Sequence, residues 1–413
     1  MAETFDALVI GGGPGGSTAA LMLARAGWSV VVIEKSTFPR RKVCGEYVSA
    51  TNLPLFRRLG IASDFLRMAG PPIRQVGLFA KESMLVASMP RSSTSPEDLG
   101  RALGREHLDT LLLSRAADAG VSIVQRSCAT QLDRGSDSLV CKIVNKESGE
   151  TEALRARVVI AAHGSWEPGR LPTQPVRVPA LPRDLLGFKA HFRSCNLPAG
   201  LMPVIAFPGG YAGLVHTDAG RVSFACCIRR DELEQCRRTV VAASAADAVL
   251  AHIQRSCRGV RETLQSARLE SLWLSAGPIR PGIRRPFADG VFSVGNAAGE
   301  AHPIIGEGIS MAMQASWLLC ERLAAFRPRD LSDNTLERIG WDYTAAWRRS
   351  FAPRIRVGAL FANLAMKPTL VALVLPIFRL FPQLLTIGAR LSGKARESVT
   401  AFEPLQVGAD VTG

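Results

Sequence analysis

The 413-residue chain has nine cysteines but no Cys-x-x-Cys pair, and its six histidines stand apart from carboxylates and thiolates at ligand spacing. That excludes the spaced sets that hold zinc or run dithiol chemistry, so no metal is expected. An odd, scattered cysteine count fits a reducing cytoplasm. No run reaches the roughly 18 to 20 apolar residues of a membrane span; the nearest, 368–378, is short and contains Pro376. The N-terminus lacks a basic stretch ahead of an apolar one, so no secretory signal is expected. Internal repeats and low-complexity tracts are also missing. The net charge is +14, but the arginines are spread along the chain and no basic patch is interleaved with aromatics. A nucleic-acid partner is therefore not expected. Diffuse basicity reads first as a solvated surface and next as weak attraction to anionic lipids or cofactors.

What is present begins at residue 5. An apolar run, Phe5–Ile10, leads into Gly11-Gly12-Gly13-Pro14-Gly15-Gly16, an alanine-rich helix closed by Gly27, and a valine strand ending in Glu34. This is the order of a dinucleotide-binding βαβ unit. Gly11 permits the tight turn, Gly13 admits a pyrophosphate and Gly16 lets helix and strand pack closely. The positive helix end attracts the anion, and Glu34 is placed to accept hydrogen bonds from ribose hydroxyls.

A polar, basic loop over 36–49 carries Arg41 and Cys44-Gly45-Glu46 toward a reaction centre, and 50–68 reads as helical. Residues 76–89 read as strands of a small sheet, followed by a Ser/Pro-rich linker at 90–97. Periodicity over 97–119, closed by Gly120, predicts a helix. Short strands near 138–144 and 152–156 precede an apolar strand, 157–162, that ends at His163-Gly164. Alternation and turn residues over 184–228 predict four antiparallel strands, and 231–257 reads as helical. The expected organisation is a nucleotide-binding domain from 1–72, 98–170 and 277–330, a β-sheet domain from 73–97 and 171–276, and a C-terminal helical region over 331–413. Across 351–396 the only charges are Arg354, Arg356, Lys367, Arg379, Arg390, Lys394 and Arg396, all positive, among Leu, Phe, Ile and Val. Three readings stand for it: a helical layer packed on the protein, a cap over a greasy substrate tunnel, or peripheral contact with an anionic bilayer at the inner face of the membrane.

The segment Val294-Gly295-Asn296-Ala297-Ala298-Gly299-Glu300-Ala301-His302-Pro303, followed by Gly306-Glu307-Gly308-Ile309, joins the N-terminal fingerprint in a resemblance spanning roughly 330 residues. The pair resembles the FAD-dependent superfamily of p-hydroxybenzoate hydroxylase, geranylgeranyl reductases and flavin halogenases. The resemblance implies an α/β architecture: a Rossmann-like FAD-binding domain interleaved with an antiparallel β-sheet substrate domain, plus a C-terminal helical segment. It implies FAD contacts from Gly11, Gly13, Gly16, Glu34, Lys35, Arg41, Arg105, Gly295, Asn296, Pro303, Gly306, Gly308 and Ile309. The helix opening at Gly308 would aim its positive end at the flavin pyrimidine ring. Glu46, His302 and Glu307 are the acid/base candidates, each with a structural alternative: loop anchoring, turn capping and a helix-end charge. Cys44 and Tyr211 are the substrate-side candidates.

The chain departs from the family pattern in four places. Asn296 stands where Asp is usual, His163-Gly164 where Asp-Gly is common, Ser310 where aromatic hydroxylases often carry Asn, and the halogenase Trp-x-Trp-x-Ile-Pro signature is missing. The leading expectation is an FAD monooxygenase that hydroxylates or epoxidises a hydrophobic aromatic, polyketide-like or lipid-like substrate. NAD(P)H or a separate flavin reductase would supply its electrons. The alternative is a geranylgeranyl reductase-like enzyme acting on isoprenoid double bonds.

Overall fold

The computed structural model describes residues 3–91, 97–135, 137–165, 167–239 and 244–394. Most of the expected linker at 90–97, and the tail from 395 onward with Arg396, lie outside the described residues.

Two eight-stranded sheets organise the chain. In the first, five parallel strands lie in the spatial order Ser122–Val124, Val30–Ile33, Glu3–Ile10, Thr151–Ala161, Val291–Ser293. Numbered by their place in the chain, that is the order 3-2-1-4-5 of a Rossmann sheet. Glu3–Ile10 is central: its second half, 7–10, is apolar and buried, and a parallel strand flanks it on each side. Residues 151–161, expected as two strands, form one. Its first half pairs antiparallel with Leu139–Asn145 while residues 154–161 run parallel to Glu3–Ile10.

Helix Pro14–Arg25 packs against helix Gly308–Leu323 through small residues. Ser316 Oγ donates to the Gly15 carbonyl at 2.7 Å, and the Cys320 thiol reaches the Ala19 carbonyl at 3.6 Å. The backbones approach this closely because Gly15, Ala19 and Ala312 leave room between them. Residues 50–68 break into a tight turn and helices Leu53–Arg58 and Ala62–Met68. Gly60, at φ +66, lies in the break between the two helices.

The second sheet holds Leu185–Arg193, Leu201–Phe207, Gly210–His216 and Val222–Arg229 as an antiparallel set, within a residue or two of the expected spans. Residues 76–89, expected as strands within the β-sheet domain, join this same sheet. Gln75–Ala80 adds to this one, parallel to Leu201–Phe207, and Ser83–Ser88 forms its edge. The 33-residue helix Asp333–Ala365 spans both units. Tyr343, Trp347 and Phe351 are buried in the core around Phe292 and Met313, whereas Ala362 and Ala365 pack with Tyr211 and Ala206 of the second sheet. Helices Pro368–Leu380 and Gln383–Ala389 then fold over the groove between the sheets. Among the described residues no single helix is long and apolar enough to cross a membrane. Asp333–Ala365 and Pro368–Leu380 meet that test only as a pair, bent by 103°.

Candidate active site

One cavity of about 1050 Å³ runs from the glycine turn of the first sheet to the underside of the C-terminal helices. At its first end lies an anion cradle. Gly16 sits where an added Cβ would be 1.8 Å from the Gly11 carbonyl oxygen, so only glycine lets the helix start here. Gly11 takes φ +109, and a Cβ there would meet the Ala162 carbonyl at 2.7 Å. Gly13 differs: its Cβ direction is open except for the guanidinium tips of Arg40 and Arg105, each 3.8 Å away. Glu34 closes the turn, accepting from Gly12 N at 2.8 Å and Ser36 N at 2.9 Å.

Arg105 is buried and held bidentate by Asp109, both bonds 2.7 Å. Burial works against its charge, but the Asp109 carboxylate raises its pKa further. Arg40 lies 3.4 Å from Glu34 and 3.7 Å from Asp109, with Nε and Nη1 buried and lacking hydrogen-bond partners. Burial, then Arg40 and Arg105, push Lys42 down to about 8. Three cations thus converge beside an open helix N-terminus, with unpaired N–H groups and a lysine whose charge is disfavoured. That imbalance is what a bound diphosphate corrects.

Farther along the wall come Gly295, Asn296, Pro303, Gly306, Gly308 and Ile309, all lining the cavity. Gly295 and Gly306 have φ +59 and +63, left-handed conformations that suit glycine. Asn296 Nδ2 donates to Glu300 at 2.9 Å, and Ser165 Oγ donates to the other Glu300 oxygen at 2.7 Å. Helix Gly308–Leu323 presents its first turn to this stretch, with Glu307 as its N-cap residue.

Tyr211 and His302 meet at the reaction end, Tyr211 Oη lying 3.3 Å from His302 Nδ1, and both line the cavity. Burial pushes His302 down to about 4 and Tyr211 well up, so both are neutral at pH 7. His163, bonded to Gly164 O at 2.9 Å and Thr173 Oγ1 at 2.8 Å, is likewise pushed down to about 4 by burial. Unfolded, both imidazoles take protons below about pH 6.5; folded, they stay neutral to about pH 4. The unfolded state therefore binds more protons in that window, and stability is lost as pH falls through it. The expected slope is up to about 1.4 kcal/mol per pH unit for each imidazole. Urea midpoints measured from neutral to acid pH check this, and replacing both histidines by Gln should make the curve shallower, with buried His191 supplying a remaining slope of the same sign.

Glu46 is fully buried at φ +65, ion-paired with Lys189 and 2.8 Å from His191 Nε2. It also accepts from the Arg105 backbone N at 3.3 Å. Burial, Lys189 and Arg221 push His191 down to about 3, so it is a neutral donor to Glu46. Glu46 thus ties the basic loop to the second sheet and to the start of helix Arg105–Asp118. Its backbone N donates to the Cys44 thiol at 3.3 Å, and Cys44 stands on the cavity wall. Glu307 is not on that wall. It is buried against Lys394, 3.4 Å away, burial raising its pKa while Lys394 and Arg354 lower it. Lys394 also bonds the Ile305 carbonyl, which joins the C-terminal segment to the Gly306–Gly308 turn.

The structure thus brings Gly11, Gly13, Glu34, Lys35, Arg105, Cys44, Glu46, Tyr211 and His302 to one cavity, together with the late glycine segment. Gly16 supports the turn from behind, and Lys35 is ion-paired with Glu167. Arg41 lies off the cavity wall, near enough to Lys189 and His191 to lower their pKa values. Its neighbours Arg40 and Lys42 occupy the cradle instead. Alternation along an extended loop could have signalled that split, but the loop's direction is set by contacts distant in sequence. Lys189, His191, Asp109 and Lys394 carried no motif.

A glycine-turn cradle opening into an apolar chamber between a Rossmann sheet and a second sheet defines a flavoprotein oxidoreductase. The chain belongs to the FAD binding domain family, which matches residues 4–338; it is an FAD-dependent oxidoreductase. Over 377 residues it is 26% identical to digeranylgeranylglycerophospholipid reductase 2 of Methanopyrus kandleri, covering 87% of each chain. It is also 26% identical to conditioned medium factor receptor 1 of Dictyostelium discoideum, covering 84% of this chain and 68% of that one. Its fold is that of the myxobacterial chondrochloren halogenase, with a TM-score of 0.75 at 20% identity over 95% and 91% of the two chains. PqsL of Pseudomonas aeruginosa, described as a probable FAD-dependent monooxygenase, has a TM-score of 0.69 at 20% identity over 91% and 100%.

Proposed function

We propose that the protein is a monooxygenase that hydroxylates or epoxidises a hydrophobic substrate, its reacting head at Tyr211 and His302 and its apolar tail beneath the C-terminal helices. When bound, FAD supplies the redox chemistry. Gly13, Arg40, Lys42 and Arg105 would hold its diphosphate, and Glu34 its ribose. One atom of O₂ enters the substrate and the other leaves as water, with two electrons from NAD(P)H, used directly or through a separate flavin reductase.

The observation that carries the reading is the neutral His302–Tyr211 pair on the cavity wall. The Tyr211 phenol, kept protonated by burial, can donate to a substrate oxygen, and neutral His302 can accept from a substrate hydroxyl. Neither is acidic enough at neutral pH to protonate an isolated alkene, and the Glu46 carboxylate is committed to Lys189 and His191. The apolar lining excludes water around them.

A second reading, reduction of isoprenoid double bonds, is favoured by Cys44 on the cavity wall within Cys44-Gly45-Glu46 and by the reductase names of several curated relatives. Turnover under ¹⁸O₂ against alkylated phenols and prenyl lipids separates the two. Labelled product is expected, and His302→Ala should lower kcat by about 100-fold. Unlabelled, saturated product formed anaerobically from dithionite-reduced enzyme would replace the first reading with the second.

A further inference from the structure

The C-terminal cap has two apolar faces. On helix Pro368–Leu380, Val371 and Leu375 are buried and Val374 and Phe378 line the cavity. One helical face away, Leu373, Ile377 and Leu380 are 69%, 49% and 74% exposed at i, i+4 and i+7. Phe381, at the following bend, is 51% exposed. Ile387 and Leu391 are 50% and 59% exposed and also line the cavity, so the chamber reaches the surface within this same patch. The exposed charges of the patch are Lys367, Arg379 and Arg390, and the sequence holds no acidic residue between Asp342 and Glu397.

We infer that this patch docks on the surface of an anionic bilayer and opens the cavity to lipid-dissolved substrate, an inference that rests, for the substrate, on the hydrophobic-substrate reading above. The complementarity is specific. Leucine and isoleucine side chains on one ridge enter the headgroup–acyl boundary, while Lys367, Arg379 and Arg390, the exposed charges among the described residues from 367 onward, lie at headgroup level. A protein partner of ordinary composition would meet acids as well as bases on such a face. The 13-residue helix Pro368–Leu380 is too short to span a bilayer by itself, and the 103° bend keeps it out of line with Asp333–Ala365.

Flotation of the flavin-loaded full chain with phosphatidylcholine vesicles containing roughly one quarter phosphatidylglycerol tests the inference, because it reads binding without turnover. The protein should float with these vesicles, not with pure phosphatidylcholine, and less so in molar salt. Leu373→Ser/Ile377→Ser/Leu380→Ser should lower partition by about 100-fold, and Lys367→Gln/Arg390→Gln by about tenfold. Both should keep their flavin. Leu269→Ser/Leu272→Ser, at the opposite edge of the second sheet, should float like the parent. Lack of flotation by the parent, equal binding to neutral vesicles, or an unchanged ridge variant would overturn the inference. So would retention through alkaline carbonate, which marks a span. Turnover of detergent-dispersed substrate reports on the reaction separately, so flotation without labelled product would remove the monooxygenase reading and leave the docking face standing.

Discussion

Gly16→Ala is expected to emerge colourless from purification and to melt well below the parent. The new methyl would lie 1.8 Å from the Gly11 carbonyl oxygen and 3.1 Å from the Ala162 Cβ. Both neighbours follow the carboxyl ends of the packed strands Glu3–Ile10 and Thr151–Ala161, and a backbone oxygen cannot swing aside as a side-chain tip does. Relief requires the helix Pro14–Arg25 to move, and with it the cradle. A stability loss of about 3 kcal/mol and a fall in FAD affinity of about 100-fold or more are expected. Visible flavin absorbance after reconstitution and a thermal melt measure the two effects. Gly13→Ala separates fold from ligand: its Cβ meets no atom nearer than 3.8 Å, so stability should hold while flavin uptake falls. A Gly16→Ala protein that stays yellow and stable would show that the turn relaxes freely.

Lys189→Met should be the most damaging single change in the second sheet. It leaves the Glu46 carboxylate fully buried without its cation, a loss of about 3 to 5 kcal/mol for a broken buried pair. Glu46 also holds a non-glycine φ of +65 and receives the backbone N of Arg105, so the damage should spread to the phosphate cradle and weaken FAD binding. The control is the pair Lys189→Met with Glu46→Gln. Removing both charges should cost clearly less than the sum of the single losses, the mark of direct coupling. Urea unfolding of the four proteins gives the cycle, and additive losses would mean that the pair does not act as a unit.

The nucleotide half was legible because its chemistry is local. A glycine turn between strand and helix, and an acid at the end of the next strand, lie within 34 residues, and short-range sterics place them whatever surrounds them. The four central strands of the second sheet were legible through alternation. The parallel addition of Gln75–Ala80 to that sheet was not, because its partner strand lies far along the chain. The basic loop was legible only in outline: Arg41 was a phosphate or ribose candidate beside Arg105, but Arg40 and Lys42 are the loop cations on the cavity wall. Glu307 was an acid/base candidate with a helix-end charge as the alternative; it is the N-cap residue of helix Gly308–Leu323, off the cavity wall and paired with Lys394. That contact joins residues 87 positions apart, which no local pattern announces.

From its sequence alone this chain determined a dinucleotide cradle, a Rossmann start and a pairing of early and late glycine segments, because each depends on backbone clearance and helix-end charge within a few residues. Only tertiary structure decided which loop cations reach the cradle, that Glu46 is a buried tie to Lys189 and His191, and that the C-terminal helices roof the cavity with a second apolar face left outside. Those outcomes depend on which distant elements exclude water from which side chains, and that is settled only when both sheets and the long helix have packed together.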